Sequence, residues 1–148
     1  MTMQRDDRAL AALVGERMFE ADRATRDFMQ IELVACEPGR AVMRMTVREA
    51  MLNGHEICHG GLIFTLADST FAYACNSRNH ATVAAGCSIE FLQPARAGDV
   101  LTCEGQEQLL QGRHGVYDMK VTNQRGEVVA LFRGKSTQIK GHVIEGAA

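Results

Sequence analysis

Asp68 is the one formal carboxylate between Glu56 and Arg78, in a stretch dominated by Leu, Ile, Phe, Ala, Thr, Tyr and Cys. A lone acid in such surroundings must be paired, protonated or put to use. Desolvation raises its pKa and makes it a better base toward water, or a nucleophile toward a carbonyl. The bland alternative is a structural pairing with a hydroxyl or amide. Upstream stand His59-Gly60-Gly61. Two glycines at a helix start leave backbone N–H groups open to a ligand, and the helix dipole there favours an oxygen that gains negative charge. A tight turn needing positive φ is the ordinary explanation for such a pair. Together, a base or nucleophile and an oxyanion site supply acyl-transfer chemistry. There is no Gly-x-Ser-x-Gly elbow, so a serine hydrolase is not supported.

Asp68 follows Gly60 by eight residues, about 12 Å along a helix. One small reacting group cannot touch both within one chain. If both act on one bond, Asp68 comes from a second subunit whose helix lies antiparallel to the first, which implies a two-fold dimer with composite sites. His55, Cys58 and His59 form a compact H-x-x-C-H group that invites a metal reading. No second Cys/His pair at finger spacing completes it, so no metal is expected. His59 then orients the helix start or donates to a carbonyl oxygen. Asn53 either holds the loop by turn chemistry or presents its amide to water or to His59.

These residues need a scaffold. Residues 61–75 suit a helix apolar on nearly every face, hence buried. Before it, residues 1–28 read as a helical segment, capped by Asp6 and Asp7, with Leu10, Leu13, Val14, Met18 and Ala21 on its apolar face. Asp22 opens a second helical turn toward Phe28. Residues 30–48 alternate as a hairpin around Glu37-Pro38-Gly39-Arg40. After the helix, strands are expected at 81–93, 100–110, 116–122 and 128–139, joined by short turns, with residues 141–148 a frayed tail. The expected fold is α+β, a single domain over 1–148 in which one long helix is wrapped by a curved antiparallel sheet. A helix this apolar outruns one sheet, so a partner subunit is expected.

The bulk numbers fit. The 148 residues carry a formal charge of −2, which offers no field to attract nucleic acid or a membrane surface. Five scattered cysteines read as reduced core thiols of a cytoplasmic protein. The N-terminus lacks the basic-then-apolar pattern of a signal peptide. The segment 57–77 is interrupted by His59, Asp68, Asn76 and two glycines, which argues against a membrane span.

The runs NGHEICHGG (53–61), LAD (66–68), FAYACNS (71–77) and EFLQP (90–94), with GVYD (115–118) and ALFRGKS (130–136), resemble the hotdog-fold acyl-CoA thioesterases, and within them the phenylacetic acid degradation branch. The likeness covers about residues 28–140. It implies dimers with a continuous sheet, often paired into tetramers, and no cofactor. It implies that Asp68 is general base or nucleophile, that the Gly60 N–H and His59 polarise the thioester carbonyl, and that Asn53 places water or the loop. The implied substrate is phenylacetyl-CoA or a ring-hydroxylated form, hydrolysed to the free acid and CoA during phenylacetate catabolism. Some relatives add a Ser or Thr from the strand after the helix; the corresponding position here reads as Ala. For the CoA phosphates the candidates are Arg113, Arg133 and Lys135, with Gly61 and Gly134 allowing close backbone approach. Ordinary solvated charge explains those cations equally well. Alternatives on the same fold are a medium-chain acyl-CoA thioesterase, a hydratase and an acyl-CoA sensor. A hydratase lacks its His after Asp68, and the first 28 residues are too short and too balanced in charge for a sensor's DNA-binding segment.

Overall fold

A computed structural model describes residues 2–147. Helix α1 (Thr2–Ala21) leads to a π-helical turn (Ala24–Phe28), then strands β1 (Glu32–Glu37) and β2 (Arg40–Thr46). After a 3₁₀ turn at Glu49–Met51 come helix α2 (Gly60–Asn76) and strands β3 (His80–Phe91), β4 (Val100–Gln111), β5 (His114–Thr122) and β6 (Val128–His142). All six strands form one antiparallel sheet in the order β1-β2-β4-β5-β6-β3.

The sheet wraps α2. Ile63, Leu66, Ala67, Phe71, Tyr73 and Ala74 of the helix are buried, along with Met43, Leu101, Tyr117, Met119 and Phe132 from the strands. Phe71 sits at the middle, its ring centroid 5.6 Å from that of Tyr117 and 5.9 Å from that of Phe132. Gly134 makes this approach possible, because a Cβ there would lie 2.8 Å from the Phe71 ring. The flank of the helix beside this contact is not fully covered. Thr65, Asp68, Ala72 and Cys75, at spacings of three and four, are each only half-buried.

Four local expectations change. Helix α1 begins at Thr2, so Asp6 and Asp7 lie inside it and cap nothing. Its buried face is carried by Ala11, Val14 and Gly15, while Leu13 turns to solvent. Strand β3 does not pair with β4. It lies at the far edge of the sheet and pairs with β6, so that β5 and β6 stand between it and β4, its sequence neighbour. The tail is not frayed over its described part. Asn79 ties it down: its Nδ2 donates to the Ile144 carbonyl at 2.9 Å and its Oδ1 accepts the Ile144 N–H at 2.7 Å. Asp22 does cap its turn, accepting the Thr25 N–H at 3.1 Å, and its other oxygen accepts the Tyr73 hydroxyl at 3.2 Å. That ties the N-terminal segment to α2.

Candidate active site

Helix α2 starts just after His59, whose own backbone is not helical. With φ −59° and ψ 130°, His59 is the N-cap, and its Nδ1 accepts the Gly61 N–H at 3.0 Å. An accepting Nδ1 leaves the ring proton of the neutral imidazole on Nε2, free to donate. The N–H groups of Leu62 and Ile63 go to the His59 carbonyl. Gly60 is therefore the amide at the mouth of α2 that meets no acceptor among the described residues. Its Cβ position lies 3.1 Å from the Phe91 ring, so any side chain there would press on that ring.

Asn53 builds the loop that delivers His59. Its backbone N–H donates to the Ile57 carbonyl at 2.8 Å, and its Oδ1 accepts the N–H of His55 at 2.9 Å. Turn chemistry thus uses Oδ1, while Nδ2 has no acceptor among the described residues. Asn53, Ile57, Gly60, Ile63 and Phe91 share an open groove of about 450 Å³. The metal reading of His55, Cys58 and His59 does not assemble. His55 is exposed, His59 Nδ1 is engaged, and burial pushes the Cys58 thiol up to about 11.

Asp68 lies two turns further along, half-buried, with no hydrogen-bond donor among the described residues. Burial alone raises its carboxyl above the ordinary value of 3.8. Cys87 of β3 is its neighbour: burial, then the Asp68 charge, raise that thiol. The structure thus brings Asn53, His59 and Gly60 together and leaves Asp68 apart within the chain.

The basic residues lie elsewhere. Arg133 sits on the outer face of β6, where Nε and Nη2 donate to Asp118 at 2.7 and 2.8 Å. That bidentate pair holds the Asp118 carboxyl below its usual range and occupies the Arg133 fork. The outer-face hollow there, about 600 Å³, also holds Glu90 and Glu104, a poor setting for phosphates. Lys135 borders a shallower hollow with His114 and Val116, and Arg113 lies in the exposed β4–β5 turn. Gly134 is filled by Phe71 rather than open to a ligand, and the Gly61 amide is spent on His59. Sequence reasoning gave Phe91 no role. Its contact with Gly60 joins the end of β3 to the start of α2, which no local pattern encodes.

Comparison with known families matches residues 55–130 to the thioesterase superfamily. The chain belongs to that superfamily. Its reaction class is thioester hydrolysis, on the hotdog fold. Similar proteins include the acyl-coenzyme A thioesterase PaaI of Escherichia coli, 48% identical over 126 residues, covering 85% of this chain and 89% of that protein. The structure of the Escherichia coli PaaI protein, from the phenylacetic acid degradation operon, superposes with a TM-score of 0.89 at 46% identity, covering 91% of this chain and 97% of that one. A Streptococcus mutans protein solved bound to acetyl CoA superposes at 0.73 with 28% identity, covering 76% and 90%. No helix among the described residues is long and apolar enough to cross a membrane.

Proposed function

We propose that this chain hydrolyses phenylacetyl-CoA, or its ring-hydroxylated forms, to the free acid and CoA within phenylacetate catabolism. The reading rests on one observation: the helix mouth holds a Gly60 amide free of any acceptor among the described residues, with the His59 ring hydrogen-bonded beside it, while a half-buried Asp68 with no donor among those residues sits on the same helix. Kinship with PaaI supports the substrate class.

The chemistry follows from the two ends of α2. The thioester oxygen accepts from the Gly60 N–H and from His59 Nε2–H, both aligned with the positive end of the helix dipole. Asp68 takes a proton from water as it attacks the carbonyl carbon, or attacks that carbon itself to form an anhydride that water then opens. Collapse of the tetrahedral species expels the CoA thiolate. The roughly 12 Å between Gly60 and Asp68 along the helix requires that the two come from different subunits. Two features of the chain support that pairing. Strand β3 is a long, exposed edge carrying Val83, the kind of edge that seeks a partner strand. The stripe of α2 through Thr65, Asp68 and Ala72 is only half covered by its own sheet.

Thiol release from phenylacetyl-CoA, followed with a thiol-reactive dye, is the test. Catalytic turnover is expected. Binding without CoA release would overturn the reading in favour of a sensor. In a single turnover in ¹⁸O water, label recovered in Asp68 would identify the nucleophilic route.

A further inference from the structure

The reading above leaves the acyl preference without a structural origin, and the groove beside Gly60 supplies one. It opens directly onto the amide that holds the thioester oxygen. Ile57, Ile63, Phe91, Leu92 and Pro94 form its apolar wall, with Asn53 and Gln93 as its polar side chains. Two chains leave the thioester carbon, and they differ in what they need. The pantetheine arm carries two amides, each costly to bury without a partner. An arylacetyl group needs only apolar contact, and its ring begins one methylene from the carbonyl. Phe91 stands beside that mouth: its ring is against Gly60, and yet it remains 52% exposed. A half-exposed phenylalanine at the reaction point presents a bare aromatic surface to whatever is bound there.

We propose that Phe91 is the acyl-selecting residue of this chain, packing its ring against the aryl group of the substrate in the groove lined by Ile57, Ile63, Leu92 and Pro94. The proposal rests on the thioesterase reading and adds the determinant of its substrate class. Aromatic pairs prefer offset or edge-to-face contacts and contribute beyond their area, so an aryl group gains from Phe91 what an alkyl chain of similar length does not. A one-carbon acyl tail such as acetyl does not reach the ring and is indifferent to it.

The test is kcat/KM for phenylacetyl-CoA, hexanoyl-CoA and acetyl-CoA in the wild type, in Phe91→Leu and in Phe91→Tyr. Phe91→Leu is expected to lower the phenylacetyl value about 3- to 10-fold more than the acetyl or hexanoyl value. Phe91→Tyr keeps the ring and is expected to keep the preference. An equal loss on all three substrates would overturn the proposal, since it would mean that Phe91 contacts pantetheine or merely props the Gly60 mouth. An unchanged phenylacetyl value in Phe91→Leu would overturn it too. A wild type that releases CoA from none of the three would remove the thioesterase reading itself, an outcome distinct from either.

Discussion

Asp68 and His59 divide the work by what surrounds them. Nothing among the described residues donates to Asp68, and burial raises its carboxyl, surroundings that suit the proposed base or nucleophile. Asp68→Asn is expected to lower kcat by at least about 100-fold, measured at saturating substrate, with the oligomer intact. The acid limb of the rate profile is expected above 3.8, the ordinary carboxylate value, because activity needs the ionised form and burial raises its pKa. The same shift fixes the sign for stability. A carboxyl raised by folding opposes the folded state once ionised, and this cost vanishes below the unfolded value. Asp68→Asn is therefore expected to melt higher than the wild type at pH 7, with the gap closing toward pH 4. A lower melting point at pH 7 would mean that the carboxylate has a stabilising partner. Asp68, His59 and Gly60 were legible in the sequence because an acid and a glycine pair are conspicuous within an apolar helix. The tautomer of His59 was not, since it is set by the Gly61 amide.

At the level of elements, Gly134 and Asp99 hold the scaffold that aims α2. A Cβ at Gly134 would lie 2.8 Å from the Phe71 ring. Gly134→Ala is expected to cost about 1–3 kcal/mol by overpacking, read from urea unfolding. Asp99 fixes the turn before β4. Its Oδ2 accepts the Arg96 N–H at 2.9 Å and its Oδ1 accepts from Gln124 Nε2 at 2.8 Å, which lowers its pKa. A carboxyl lowered by folding stabilises above its unfolded value of 3.8 and loses that contribution as pH falls through the folded one. Asp99→Asn is expected to lose about 1–2 kcal/mol at pH 7 and to match the wild type in strong acid. Most elements were readable because helical and alternating periods are local properties. The place of β3 beside β6 was not, since hydrophobic period carries no strand order. Nor was the anchored tail, which depends on Asn79 meeting Ile144 across 65 residues.

For the whole molecule, the central claim is that no single chain holds a complete site. The β3 edge, with no further strand against it among the described residues, and the half-buried stripe of α2 are the surfaces the proposed second copy would use, and sedimentation is expected to show a dimer or a dimer of dimers. The expectation of a partner comes from the sequence alone, from eight helical residues between Gly60 and Asp68 and from the apolar character of that helix. The proposed docking face does not, because the edge position of β3 is set by strand order. Complementation tests the claim most directly. Asp68→Asn and His59→Ala, each impaired alone, are co-expressed and the unseparated mixture of dimers, half of them mixed, is assayed on phenylacetyl-CoA. A mixed dimer has one doubly altered site and one intact site, so the mixture should recover about a quarter of wild-type activity. Activity no higher than the average of the two parents would contradict the account and put the whole site within one chain.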